Sequence, residues 1–174
     1  GPRREIGIRT LFNILGPLSN PAGANVQLTG VFSPQLTTVL AEVLVRLGMK
    51  RAIIVWGEGN LDEMTVTGAT HIADGHQGKV TTSVLTPEEM GLKSADLAAI
   101  RGGTTAAESA AQVRAVLGGK TGAKLDMVLL NAGTALMAAG RAETIAGGIT
   151  LAREIIASGA ALAKLEQLIQ FSKS

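Results

Sequence analysis

Two stretches of this chain carry residue types that could do chemistry. The first is Gly57-Glu58-Gly59-Asn60-Leu61-Asp62-Glu63, where two adjacent carboxylates close a glycine-rich loop. Hard-oxygen donors paired in this way suit Mg2+, which takes one or two carboxylates and completes its shell with water and substrate phosphates. Acidic pairs in loops are common, so spacing alone favours a solvated turn and leaves a metal site at Asp62 and Glu63 open beside it. The second stretch is Arg3-Arg4-Glu5-Ile6-Gly7-Ile8-Arg9-Thr10, followed by Leu15-Gly16-Pro17-Leu18-Ser19-Asn20-Pro21. Arginine presents a planar fork that grips carboxylates or phosphates with two parallel bonds. Three arginines beside a rigid Gly-Pro loop could form an anion pocket, and a basic surface segment with ordinary ion pairs fits the same residues equally well.

Other apparent motifs fail on context. Gly119-Lys120-Thr121 resembles the end of a phosphate-binding loop, but Arg114 stands where that loop needs its first glycine, and a helix rather than a strand precedes it. A helix terminus explains these residues better. Gly57-Glu58-Gly59 begins like a dinucleotide fingerprint, yet Asp62 occupies the third glycine position. His71 and His76 fall in a polar hairpin with no nucleophile beside them, so they read as surface histidines.

The elements that must position the first stretch follow from composition and periodicity. Residues 25–32 have strand composition, and Ser33 followed by Pro34 predicts a helix start with Ser33 as its N-cap. That helix is expected to run to about Leu47, with Val39, Leu40, Val43, Leu44 and Leu47 on its inner face. Residues 51–56 form a β-branched apolar run bounded by Gly57, the pattern of a buried parallel strand. Together these make a β-α-β unit, which carries a right-handed crossover. Asp62 and Glu63 then lie just beyond the carboxyl end of its second strand, the rim at which open α/β sheets bind ligands.

Further along, residues 70–73 and 79–85 read as strands around turns at Asp74-Gly75 and Gln77-Gly78, and residues 86–89 as a helical turn. Thr104 or Thr105 opens a helix to about Leu117, with Ala107, Ala110, Ala111 and the Val113–Leu117 stretch expected inside. Helices are expected over about 124–139, 142–157 and 160–171, while residues 1–24 are loop-rich. Three or four strands beside this much helix make a thin sheet, so further strands are expected in chain outside these 174 residues.

Composition narrows the function classes. Hydrophobic residues make up 46% and charged residues 17%, which excludes a disordered segment. Sixteen Lys and Arg against fourteen Asp and Glu leave a net charge of +2, too little to argue for nucleic acid or a membrane surface. Aromatic residues are 2% of the chain, which disfavours base-stacking platforms. With no cysteine, disulfides, thiolate metal sites and a thiol nucleophile are all excluded. No apolar run is long enough for a membrane span and no signal-peptide pattern opens the sequence, so the chain reads as cytoplasmic.

The run RREIGIRTLFNILGPLSNPA, with GEGNLDE further on, closely resembles the anthranilate phosphoribosyltransferase family of tryptophan biosynthesis. The resemblance continues through Leu85–Leu92, Leu130-Asn131-Ala132 and Ser158-Gly159-Ala160, and so covers essentially the whole chain. It implies transfer of phosphoribosyl from phosphoribosyl pyrophosphate to the amine of anthranilate, with Mg2+ as cofactor and pyrophosphate released. It implies a helical N-terminal domain joined to a larger α/β domain, usually in a homodimer formed through the helical domain. By the same resemblance Arg3 binds anthranilate, Gly16 and Pro17 lie beside it, and Asp62 and Glu63 hold magnesium. No residue is expected to act as a proton-transfer catalyst.

The family's Gly-Thr-Gly-Gly-Asp loop, its Lys-His-Gly-Asn segment and a substrate-binding Ser are missing from these residues. The resemblance therefore implies that residues 1–174 are the C-terminal α/β portion of the nucleoside-phosphorylase/phosphoribosyltransferase type fold. A partial mixed or parallel sheet flanked by helices is expected, without the helical domain and first strands and inactive alone. Two other readings stand beside this one. A non-enzymatic nucleic-acid-binding relative would need a basic groove, against which the small net charge and the intact Arg3, Asp62 and Glu63 argue. A pyrimidine-nucleoside phosphorylase shares the fold type, but LGPLSNP and LDE fit the anthranilate branch better.

Overall fold

The computed structural model describes residues 16 and 18–173. Among them a four-stranded sheet carries the architecture, in the order β1 (Val26–Gly30), β2 (Arg51–Gly57), β3 (Thr70–His76), β4 (Lys79–Leu85). β1 and β2 run parallel, joined through helix α1 (Gln35–Arg46), whereas β2–β3 and β3–β4 are antiparallel. A short 3-10 turn (Glu88–Met90) follows, and then the helices α2 (Leu97–Ile100), α3 (Ala106–Leu117), α4 (Ala123–Ala138), α5 (Ile145–Ala157) and α6 (Ala160–Phe171). The expected β-α-β unit and mixed sheet are both present.

β2 is buried on both faces, as its unbroken apolar run requires. Ala52 and Ile54 point to one side, where Leu40, Ala41 and Leu44 of α1 cover them with Ala73 of β3. Ile53 and Val55 point to the other, into a larger core built from Met64, Val66, Leu129, Leu130 and Ile149. Arg51 and Asp74 close the far end of β2 against β3 with two parallel bonds, Nε–Oδ1 at 3.1 Å and Nη2–Oδ2 at 2.6 Å. In the helical layer, α4 and α5 cross at Gly133 and Gly148. A Cβ on Gly148 would lie 2.1 Å from the Gly133 carbonyl oxygen, so the two backbones touch there. Small residues are abundant in this chain because contacts of this kind leave no room for side chains.

Four local expectations are corrected. Ser33 does not cap α1: Pro34 holds the N-cap position and the Ser33 hydroxyl donates to the Gln35 side chain instead. The inner face of α1 is Thr37, Leu40, Ala41 and Leu44, while Val39 and Leu47 are 54% and 64% exposed. Small Thr37 and Ala41 share the buried face with Leu40 and Leu44, so that face is turned away from Val39 and Leu47. Asp74 and Gly75 lie within β3 rather than in a turn, because Asp74 pairs with Arg51 and a Cβ on Gly75 would meet the Val45 side chain at 2.6 Å. The hairpin turns at Gln77 and Gly78, the other expected turn, both at positive φ. Finally, α3 buries only Val116, and Ala107, Ala110, Ala111 and Val113 are exposed. It meets α4 and α6 only lightly, and Val113 and Val116 border a cavity shared with Met127 rather than filling it.

Candidate functional site

The Asp62–Glu63 loop begins where β2 ends. Gly57 N–H donates to the Leu61 carbonyl at 2.8 Å and Leu61 N–H donates back to the Gly57 carbonyl at 3.1 Å, closing a tight turn. The turn needs left-handed backbone at Gly59 (φ 86°) and Asn60 (φ 63°). Glycine enters that region freely, and asparagine more readily than other side chains.

The loop then rests on the ends of the two parallel strands. A Cβ on Gly30, the last residue of β1, would lie 1.4 Å from the Asp62 carbonyl oxygen, so the Asp62 backbone occupies the space a side chain would fill. A Cβ on Gly57 would approach the Glu63 carbonyl oxygen to 2.7 Å. The glycines at the carboxyl ends of β1 and β2 thus form the seat of the acidic pair.

Beyond Glu63 the chain dives into the core and is tied there. Met64 is fully buried, and its N–H donates to Asn131 Oδ1 at 3.0 Å. Asn131 Nδ2 donates to the Met64 carbonyl at 2.8 Å and to the Met127 carbonyl at 3.0 Å. The Thr134 hydroxyl donates to the Leu130 carbonyl at 2.9 Å and touches the Met64 sulfur. Thr65 N–H donates to Thr70 Oγ1 at 3.0 Å, and the Glu58 carboxylate accepts from Ala69 N–H at 3.0 Å. A long surface loop is thereby held at both ends, with exposed Asp62 and Glu63 at its crest.

Electrostatically the crest is a site of excess negative charge. Among the described residues neither carboxylate has a hydrogen-bond donor or a cationic partner. Glu63 is held above the usual carboxylate range, first by partial burial and then by the charge of Asp62 beside it. Its side chain borders a cavity of about 280 Å³ that Ile100, Val113, Val116, Met127 and Lys124 also line. The Lys124 ammonium is engaged there by the Arg101 carbonyl at 2.6 Å and Gln112 Oε1 at 2.7 Å.

A divalent cation fits the pair chemically: it supplies the positive charge that both carboxylates lack. Among the described residues no group of three or more His, Cys, Asp or Glu side chains could hold a metal ion. A cation here would complete its shell with water and ligand oxygens, as Mg2+ does. Of the other sequence-derived site residues, Gly16 is exposed and its carbonyl accepts from Ser19 N–H at 3.3 Å. Arg3 and Pro17 lie outside the described residues. The role of Asn131 was not legible in the sequence; the available signal was an amide within a helix whose neighbours are otherwise apolar or small.

Residues 1–162 match the glycosyl transferase family, a/b domain, and the chain belongs to that family. It is 66% identical over 170 residues to the anthranilate phosphoribosyltransferase of Desulfotalea psychrophila, an alignment covering 98% of this chain and 49% of that protein. The crystal structure of anthranilate phosphoribosyltransferase from Thermus thermophilus superposes with a TM-score of 0.89 at 43% identity, covering 99% of this chain and 50% of that one. The Saccharomyces cerevisiae enzyme in complex with phosphoribosyl pyrophosphate and Mg superposes with a TM-score of 0.84 at 30% identity, covering 97% of this chain and 48% of that one. The same yeast enzyme has been solved with 4-fluoroanthranilate. This chain spans about half the length of the relatives it matches.

Proposed function

We propose that this chain supplies the α/β part of an anthranilate phosphoribosyltransferase, which moves phosphoribosyl from phosphoribosyl pyrophosphate to the amine of anthranilate. The bond from the anomeric carbon to the pyrophosphate oxygen breaks, a carbon–nitrogen bond forms, and the amine loses a proton. The observation that carries the reading is the uncompensated carboxylate pair at the sheet's carboxyl rim, in a chain so similar to enzymes of this activity.

Asp62 and Glu63 would hold Mg2+ through their side-chain oxygens. When bound, that ion neutralises charge on the departing pyrophosphate as a Lewis acid and template. Arg3 would clamp the anthranilate carboxylate and so aim the amine, a positioning effect, with Gly16 and Pro17 beside it. No side chain is assigned a proton. The protein would work as a cytoplasmic homodimer, without nucleic acid or membrane; among the described residues no single helix is long and apolar enough to cross one.

The test is a Mg2+ titration of the loss of anthranilate fluorescence in the full-length protein, for wild type and for Asp62→Asn with Glu63→Gln. The paired variant should need at least about tenfold more Mg2+, the scale expected when a metal's protein environment is damaged. An identical titration curve would remove both carboxylates from the proposal. Residues 1–174 assayed alone should give no turnover, and turnover by this stretch would show that the reaction needs less of the protein than proposed.

A further inference from the structure

Asn131 bonds the backbone next to the acidic pair rather than the pair itself. It lies in α4, where Met127, Leu129, Leu130, Gly133 and Thr134 are buried. An apolar residue would suit that surface better, since an amide withdrawn from water costs free energy unless its hydrogen bonds are met. Here they are: Oδ1 accepts from Met64 N–H, and Nδ2 donates to the carbonyls of Met64 and Met127. The side-chain amide thus behaves as a peptide unit of a neighbouring strand, giving Met64 both a donor and an acceptor.

We propose that Asn131 is a positioning residue for the metal-binding pair, an inference that rests on the ligand role proposed for Asp62 and Glu63. Gly30 fixes the backbone of Asp62 from below, and Asn131 fixes the residue immediately after Glu63. Between those two points the backbone of Asp62 and Glu63 is held, which sets where both side chains leave the loop. Hydrogen bonds made directly to a metal's ligands commonly govern its affinity by about 10–100-fold; Asn131 acts one step further out, on the backbone, so the low end of that range is expected.

The test measures Mn2+ binding to the full-length protein by electron paramagnetic resonance in the presence of phosphoribosyl pyrophosphate, at a temperature where every variant is folded by circular dichroism. Asn131→Ala removes all three bonds. Asn131→Asp keeps the shape and the acceptor but turns an oxygen toward two carbonyls. Both should weaken Mn2+ by about tenfold or more. Leu129→Ala opens a cavity in the same core and leaves the three bonds in place, so it should lower the thermal midpoint with Mn2+ affinity unchanged. Wild-type affinity in both Asn131 variants, or an equal loss in Leu129→Ala, would overturn the inference. Asp62→Asn with Glu63→Gln is measured alongside. If that pair also binds Mn2+ normally, the ligand assignment itself has failed and the inference falls with it. If it loses Mn2+ while the Asn131 variants do not, only the role of Asn131 has failed.

Discussion

Two carboxylates in this molecule live under opposite conditions. Glu108, in the first turn of α3, accepts at Oε2 from Thr104 N–H (2.8 Å), Thr104 Oγ1 (2.7 Å) and Thr105 N–H (3.3 Å). The Thr104 hydroxyl, followed by the two backbone amides, holds it below the ordinary carboxylate range. In return Thr105 Oγ1 accepts from Glu108 N–H at 3.1 Å, which completes a capping box. Glu63, on the acidic loop, has no such donors among the described residues, and burial and Asp62 work against its charge. The fold wants the charge of Glu108 and opposes that of Glu63. A carboxylate that the fold stabilises gains little from a further cation, whereas one whose charge the fold opposes gains more from a cation brought beside it. The contrast is between an acid that caps a helix and the acid proposed above as a metal ligand.

The largest expected effect tests whether the loop's seat or its charge matters more. Gly30→Ala drives a Cβ into the Asp62 carbonyl, a backbone atom that cannot swing aside. Overpacking of this severity should cost about 3 kcal/mol or more in urea unfolding and should dislodge the acidic pair. A stability within about 1 kcal/mol of wild type would show that the loop can lift off β1 freely, and the idea of a rigid seat would fail.

Thr105→Ala strikes the other region. Loss of this N-cap should cost about 1 kcal/mol in the same unfolding measurement, within the range found for threonine caps. Because Thr105 has no part in the acidic loop, the Mg2+ requirement should stay at its wild-type value. A shifted Mg2+ requirement would mean that the two acids are coupled and that the contrast between them is false.

The same contrast governs what could be read in advance. The helix start at Thr104 or Thr105 and the strand at residues 51–56 were legible because each depends on neighbours in sequence: threonines opening an alanine-rich run, and a run of β-branched residues ended by glycine. The Asp62–Glu63 pair was legible as a candidate by its position after that strand, but its surroundings were not. Its seat on Gly30 and its tie to Asn131, 67 residues from Met64, join distant parts of the chain. The inner face of α1 was missed by a small rotation, since helical periodicity finds an apolar stripe but not which small residues share the buried face. For α3 the expected burial failed because an apolar stripe needs close packing, and α4 and α6 bury only Val116 of this helix.

The smallest effects are the most discriminating, because they should have opposite signs. The folded-state pKa of Glu108 is lowered, so its charge adds stability that is present above the unfolded-state value and lost as pH falls through the folded one. Glu108→Gln should therefore lower the thermal midpoint at neutral pH, with the deficit shrinking in acid. Glu63 has a raised folded-state pKa, so the folded protein holds that proton more tightly than the unfolded chain does. Its ionisation costs stability as pH rises from the ordinary carboxylate range through the raised value. Glu63→Gln should then raise the midpoint slightly at neutral pH, with the gain fading as pH falls through that window. Calorimetric scans of both variants across the acid range, without divalent cation, measure the two slopes directly. If Glu63→Gln instead lowered the midpoint at neutral pH, its charge would already be satisfied by the protein, and no free energy would be held there for a metal.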